Sequence, residues 1–148
     1  MATTDDELYF VDTNILVAAS DDTRSSHAES YELFERATTG SPRLFVCGQI
    51  LREYLVVATR PIENNGLALS PKKAIENLQS FKRCIQLLEE NAATTRRLEG
   101  LITKYKIKGR RIHDANIASV MIENGLSAIL TLNPKDFQVF AEVGTHQP

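Results

Sequence analysis

Apolar positions along the chain occur either in short continuous runs or at helical spacing between polar residues. Continuous apolar runs are typical of strands buried on both faces, as in a parallel sheet. We interpret residues 8–17 as one such strand together with the turn that ends it. Two further runs, 44–46 and 128–132, predict strands, and 85–88 is a weaker fourth candidate.

Amphipathic patterns between these runs predict helices over 26–38, 49–59, 70–84, 91–104 and 112–124. Several of the predicted ends carry the expected signals. Ser26 with Glu29 forms a capping box, Pro71 suits the first turn of its helix, and Asn91 can cap the next helix. Gly125 follows the last predicted helix, where a left-handed residue commonly ends one.

Strands that alternate with helices predict an α/β fold, a three-layer α/β/α sandwich around a central parallel sheet. The chain has no repeat or linker, so we expect a single domain over 1–148 with its core at about 8–140 and frayed ends at 1–6 and 143–148. Ligands in such folds bind beyond the carboxyl ends of the strands. We therefore expect the functional residues at the carboxyl ends of the predicted strands.

Composition fits this picture, with 148 residues of which 43% are hydrophobic and 24% charged. Cys47 and Cys84 lack the spacing of a zinc site, a redox motif or a disulfide framework, which favours a reducing cytoplasm. The chain has no apolar run of about 18 residues, and its start is acidic where a secretory leader would be basic. We expect a soluble cytoplasmic protein with no membrane partner.

Asp12 interrupts the first apolar run at the predicted end of the strand. An ionised carboxylate buried there without a partner costs several kcal/mol, so a cation or a set of donors must compensate it. The alternative is that Asp12 and Asn14 only cap a following helix.

Asp114 is misplaced on the helix predicted over 112–124. The other polar residues of that helix share one side; they are His113, Asn116, Ser119 and Glu123. Asp114 instead precedes Ile117 and Met121 on the apolar side, where a carboxylate is not expected. A divalent cation shared with Asp12 accounts for both acids, and a buried Arg or Lys partner is the structural alternative.

Two weaker candidates complete the set. Glu53 lies at the edge of the apolar stripe of helix 49–59, where it either contributes to a site or extends into water. Thr131, Asn133 and Asp136 follow the predicted strand 128–132 and either line the same pocket or merely start a short helix at Pro134.

Carboxylates without a His or Cys cluster form a hard oxygen site that suits Mg²⁺ or Mn²⁺ better than zinc. Such ions assist phosphoryl chemistry. The net charge of −2 gives no general affinity for nucleic acid. A local basic stretch nevertheless precedes Asp114, with Glu99 as its only acid; its cations are Arg96, Arg97, Lys104, Lys106, Lys108, Arg110 and Arg111.

This basic stretch is either a solvated surface or a site for substrate phosphates. We expect Lys108, Arg110 and Arg111 to contact the phosphates of a polyanionic substrate, which the resemblance described below implies is RNA. His113 is expected at the surface or in support of a neighbouring ligand rather than as a base.

Together the motifs resemble the PIN-domain ribonucleases, and within them the VapC toxins. The residues that carry the resemblance are FVDTN at 10–14, Glu53, HDANIA at 113–118 and TLNPKDF at 131–137. The resemblance implies an α/β/α sandwich whose acidic residues bind Mg²⁺ or Mn²⁺ and hydrolyse single-stranded RNA. It also implies a homodimer and a small antitoxin that inserts into the active site.

Carried over by motif, the resemblance implies that Asp12, Glu53, Asp114 and Asp136 are the catalytic and metal-binding acids. Thr13, Asn14, Thr131 and Asn133 then have supporting roles. The fourth motif departs from many PIN domains, because the neutral Asn133 occupies a place that is often acidic and the acid follows at Asp136.

Three other interpretations remain at this point. The first is a catalytically silent PIN fold that binds RNA or a partner. The second is a receiver-like signalling domain with a Mg²⁺ site. Receiver domains carry paired acids after the first strand, whereas this chain has one, Asp12. A purely structural interpretation treats the acids as caps and boundary residues, and it leaves Asp114 unexplained.

Overall fold

The computed structural model describes residues 7–148, and in this range five strands form one parallel sheet in the order β3-β2-β1-β4-β5. The strands are β1 (Leu8–Val11), β2 (Arg43–Cys47), β3 (Ile85–Leu88), β4 (Ala128–Leu130) and β5 (Gly144–His146). The α/β class, the parallel sheet and all four predicted strands are confirmed.

Within residues 7–148, six α-helices connect the strands. They are α1 (Thr13–Ala19), α2 (His27–Ala37), α3 (Gly48–Thr59), α4 (Pro71–Lys82), α5 (Ala92–Tyr105) and α6 (Arg111–Glu123). The chain steps outward from β1 to β2 and β3, and then crosses back to β4 on the other side of β1. Because such crossovers are right-handed, α1–α4 and α5–α6 cover opposite faces of the sheet, which gives the three layers.

The helix ends follow the sequence signals with one exception. Ser70 accepts a hydrogen bond from the Lys73 amide at 3.1 Å, and Asn91 forms a capping box with Thr94. Gly125 ends α6 with a φ of +71°. Ser26 makes no side-chain cap, so the capping box predicted there was wrong.

Helix α1 was not predicted, because its residues continue the first apolar run. The strand ends at Val11, and the segment that follows is helical from Thr13 rather than a turn. Six of the seven residues of α1 are buried, so the helix is apolar on most sides and lacks the periodicity that marks a surface helix.

Helix α6 is buried almost all round in its central turns. Ser119, expected on a polar side, is fully buried, and its hydroxyl donates to the Ala115 carbonyl at 2.7 Å. The predicted polar side of this helix was therefore wrong at Ser119, because a serine satisfied by its own helix can enter the core.

The predicted fraying of 143–148 was wrong for Gly144–His146, which form the edge strand β5. Residues 144–146 pair in parallel with 128–130, and the Thr131 amide donates to the His146 carbonyl at 3.0 Å. Residues 1–6, expected to fray, lie outside the described residues. No helix within 7–148 combines the length and the apolar character that a membrane crossing needs.

Candidate active site

The site begins where the neighbouring strands β1 and β4 end. Val11 is in register with Leu130, so the residues that follow each strand lie side by side. The Asp12 amide donates to the Leu130 carbonyl at 3.0 Å, and the Thr131 hydroxyl donates to Asp12 Oδ2 at 2.7 Å. Parallel pairing thus brings together two predicted site residues that are 119 positions apart.

Asp12 has a structural and an electrostatic role at once. Its Oδ1 accepts the Thr13 amide at 2.8 Å, so it does cap α1, as the alternative interpretation proposed. Burial of the side chain raises the pKa of Asp12 to about 6. The hydrogen bonds from Thr131 and Thr13 oppose this shift, whereas repulsion from Glu53 and Asp136 adds to it. Capping therefore leaves the buried charge only partly compensated.

Asn14 connects the two strand ends. Its Oδ1 accepts the Leu132 amide at 3.1 Å, and its Nδ2 lies 3.4 Å from both Asp12 Oδ2 and Thr131 Oγ1. Thr131 in turn accepts the Asn133 amide at 3.0 Å. The supporting residues predicted from the first and fourth motifs thus form one hydrogen-bond network around Asp12.

Glu53 enters this region from α3. Thr13 Oγ1 donates to Glu53 Oε2 at 2.6 Å, and Gln49 Nε2 donates to Glu53 Oε1 at 2.8 Å. Each carboxylate oxygen therefore has one neutral donor and keeps further acceptor capacity. The half-buried Glu53 faces the site rather than open solvent.

Gln49 is a site residue that the sequence reasoning missed. It is buried and also donates to the His113 carbonyl at 3.1 Å, while its Oε1 accepts Asn116 Nδ2 at 2.7 Å. Gln49 thereby joins α3, which carries Glu53, to the first turns of α6. The available signal was a glutamine one turn before Glu53 on the same face of the helix.

Asp114 lies in the first turn of α6, half-buried, and lines the same space as Asp12 and Asp136. Ile117 and Met121, which follow it on the apolar side, pack in the core. Burial, followed by repulsion from Asp136 and Asp12, raises the pKa of Asp114 to about 6, and Arg111 opposes the shift.

One cavity of about 360 Å³ contains all four predicted acids. Its lining also includes three arginines drawn from separate parts of the chain, Arg24, Arg60 and Arg110. Thr13, Asn14 and Asn133 line it too, while Thr131 is fully buried behind Asp12. The acids thus come from four different segments of the fold.

The basic stretch reaches this cavity only through Arg110. Lys108 and Arg111 do not line it, although Arg111 Nη2 donates to the Asp136 carbonyl at 3.3 Å. Arg97 pairs with Glu123 at 2.8 Å and Lys104 with Glu142 at 3.5 Å, and both cations line a separate cleft.

The donor set of the cavity suits a hard divalent cation. Carboxylate oxygens from Asp12, Asp114 and Asp136 face the same space, and two of these groups have raised pKa values that a bound cation would lower. Among residues 7–148, however, no three acidic, histidine or cysteine side chains form a ready-made metal-binding group.

The buried charge predicts a pH dependence of stability. Burial raises the pKa of Asp12 from 3.8 to about 6 on folding, so between these pH values the folded state holds more protons than the unfolded state. The free energy of unfolding then falls as pH rises from about 4 to 6. In urea unfolding with EDTA, we expect the wild type to lose about 2 kcal/mol more than Asp12→Asn across this range.

Asparagine keeps an acceptor for the Thr13 amide, so Asp12→Asn changes the charge while preserving the cap. Parallel stability curves for the two proteins would contradict the assignment of a destabilising charge to Asp12.

The fold is similar to solved toxin–antitoxin proteins at low sequence identity. VapBC2 from Rickettsia felis, solved with a DNA fragment from their promoter, matches with a TM-score of 0.70 and 19% identity, covering 95% of this chain and 98% of that one. VapC20 from Mycobacterium tuberculosis, described as a sarcin–ricin loop cleaving toxin, matches at 0.67 and 14%, covering 91% and 98%.

A toxin–antitoxin complex from Klebsiella pneumoniae matches with a TM-score of 0.62 and 21% identity, covering 95% of this chain and 99% of that one. No curated protein matches the sequence significantly. The PIN domain family model matches residues 9–143, which include all four acids. The chain therefore belongs to the PIN domain family.

Proposed function

We propose that this protein is a Mg²⁺- or Mn²⁺-dependent endoribonuclease that cleaves single-stranded RNA as the toxin of a toxin–antitoxin pair. The observation that carries the proposal is the meeting of Asp12, Glu53, Asp114 and Asp136 in one cavity. The raised pKa values of Asp12 and Asp114 support it, because burial and neighbouring acids destabilise the charged forms of these carboxylates and a bound cation would relieve this. Membership of the PIN family replaces the receiver-like interpretation.

In the proposed centre Asp12 and Asp114 hold the cation, with Asp136 and Asn133 completing the pocket. When bound, the ion would polarise a phosphoryl oxygen and lower the pKa of a water molecule bound to it. Glu53 orients or deprotonates the attacking water, since its oxygens are fixed by Thr13 and Gln49 yet retain free lone pairs.

The proposed partner is a small antitoxin that occupies this cavity. Several structurally similar proteins were solved as toxin–antitoxin complexes, which supports an antitoxin partner here. The description of one neighbour as cleaving the sarcin–ricin loop supports an RNA substrate. A homodimer, which the family resemblance implies, and a cytoplasmic location, which the two free cysteines favour, belong to the same proposal.

A second candidate is a PIN fold that binds RNA or a protein without cleaving it. The absence of a ready-made metal group among residues 7–148 is the observation that favours it. Retention of all four acids in one cavity favours the nuclease instead.

Tightly regulated expression in a bacterial host tests the toxin function. Induction of the wild type is expected to arrest growth and to create new RNA 5′ ends, mapped by sequencing. Asp114→Asn at the same protein level is expected to do neither. Normal growth with an unchanged RNA profile, or arrest by both proteins, would contradict a catalytic toxin and favour the silent module.

Gln49 is expected to act as a positioning residue for Glu53. Gln49→Met keeps the side-chain volume but removes the donors to Glu53 and to the His113 carbonyl. We expect kcat for RNA cleavage to fall about tenfold while KM stays within about twofold, because the loss acts on the orientation of Glu53.

The exposed Gln79 of α4 offers a matched control, and Gln79→Met is expected to leave both constants unchanged. An unchanged kcat in Gln49→Met, with thermal melting showing a folded protein, would limit Gln49 to a purely structural role.

A further inference from the structure

Arg60 places a cationic side chain at the wall of the cavity that the four acids share, and it forms no ion pair with residues 7–148. It is the C-cap residue of α3, and it lines the cavity. Its Nε is buried and has no hydrogen-bond partner among residues 7–148. Buried polar groups are paired in the great majority of cases, so Arg60, at the wall of a cavity, has donor capacity that the described residues leave unused and that suits an anionic ligand.

The chain after α3 fixes the position of Arg60. The Ala68 amide donates to the Arg60 carbonyl at 3.0 Å, which closes a loop over residues 60–68. Gly66 packs directly on Arg60, since an added Cβ at residue 66 would lie 2.1 Å from the Arg60 carbonyl oxygen and 2.4 Å from its Cγ. Only glycine permits this close approach, so the loop fixes the position of the aliphatic part of the Arg60 side chain.

The same loop orients a second arginine. Arg24 Nη2 donates to the carbonyl of Asn65 at 3.2 Å and to its Oδ1 at 3.1 Å, and Arg24 Nε pairs with Asp21 at 3.0 Å. Asn65 adopts a left-handed φ of +58°, which suits this turn. The hydrogen bonds of Arg24 to the described residues use Nε and Nη2, which leaves Nη1 available in the cavity that Arg24 also lines.

Arg60 lies at the end of α3, and Arg24 is held beside the loop that follows it through Asn65. Arg60 follows Glu53 by seven residues, two turns or about 10 Å further along α3. A phosphodiester backbone entering a cavity with four acids meets repulsion, which cations beside its path offset. The acids and the arginines together therefore suit an extended polyanion rather than one isolated phosphate.

We propose that Arg24 and Arg60 form a phosphate subsite that holds an RNA phosphate next to the one cleaved. The proposal rests on the proposed ribonuclease function and deepens it by assigning strand positioning to two residues outside the basic stretch at 96–111. RNA is favoured over an acidic protein segment because the arginines share one cavity with the acids that would cleave it.

Binding of a labelled RNA tests the subsite. The probe is a fluorescein-labelled single-stranded RNA of 14 random nucleotides, titrated by anisotropy in 50–300 mM KCl against Asp114→Asn protein, which is used to prevent cleavage. Adding Arg60→Gln or Arg24→Gln is expected to raise Kd about tenfold at low salt. The slope of log Kd against log salt is expected to fall by about 0.7 for each lost phosphate contact.

Two further variants sharpen the result. Arg60→Lys keeps the charge but not the planar donors, so it is expected to keep the salt slope while binding more weakly than arginine. Arg83→Gln removes an exposed arginine outside the cavity and is expected to leave Kd and slope unchanged. Thermal melting confirms that each variant is folded.

The outcomes separate the two proposals. If Kd and slope are unchanged in Arg60→Gln and Arg24→Gln while the wild type cleaves RNA, the subsite alone is overturned. The arginines would then be assigned to binding an acidic protein segment. Equal losses in Arg83→Gln also overturn it, since the effect would be general charge. Absence of RNA binding by every form and of cleavage by the wild type overturns the ribonuclease function and the subsite with it.

Discussion

Replacement of Asp114 by asparagine is expected to lower RNA cleavage at least about a thousandfold, which corresponds to about 4 kcal/mol of transition-state stabilisation. The amide has the size of the carboxylate but not the charge needed to hold a cation with Asp12. The protein should remain folded, because burial and repulsion from Asp136 and Asp12 destabilise the charged form of Asp114 more than Arg111 stabilises it.

The same substitution is expected to raise the free energy of unfolding at pH 7 by about 1 kcal/mol in the absence of metal, a value reduced for the partial exposure of Asp114. Glu123→Gln provides the control on the same helix, because Glu123 pairs with Arg97 outside the cavity. Cleavage at the wild-type rate by Asp114→Asn would exclude Asp114 from the chemistry.

Replacement of Glu53 by glutamine is expected to lower kcat about a hundredfold to a thousandfold, the range typical of a lost general base. Glutamine preserves the shape of the side chain, and the Thr13 hydroxyl can accept where it formerly donated. We therefore expect the thermal midpoint to change little. KM should change far less than kcat, because Glu53 is assigned to the water and not to the RNA backbone.

Glu32→Gln, which alters an exposed glutamate of α2, is the matched control and is expected to retain full activity. A Glu53→Gln protein with a normal kcat would show that another group handles the proton, and it would reduce Glu53 to a structural link between α1 and α3.

The fold was predictable where a single element carries its own signal. Strands β1 to β4 are short apolar runs between polar segments, and the helix caps at Ser70 and Asn91 depend on adjacent residues. Helix α1 was not predicted because its apolar residues continue those of β1. Strand β5 was not predicted because Gly144–His146 carry no hydrophobic pattern. Pairing with β4 makes that strand, and this partner is distant in sequence.

The site was predictable where a residue contradicts its surroundings. Carboxylates at positions 12 and 114 stand out among apolar neighbours, so the sequence alone marks them. Gln49, Arg24 and Arg60 are ordinary residues in polar or amphipathic segments. Their roles arise from contacts across the fold, such as Arg24 with Asn65 and Gln49 with Asn116, which local spacing does not encode.

Cleavage of total cellular RNA by the purified protein tests the central claim most directly, namely that the four acids form a metal-dependent ribonuclease centre. The wild type and Asp12→Asn are compared side by side with Mg²⁺, with Mn²⁺ and with EDTA. We expect discrete fragments from the wild type with either metal, and none with EDTA or from Asp12→Asn. Identical fragments from both proteins, fragments that persist in EDTA, or intact RNA under every condition would contradict the claim.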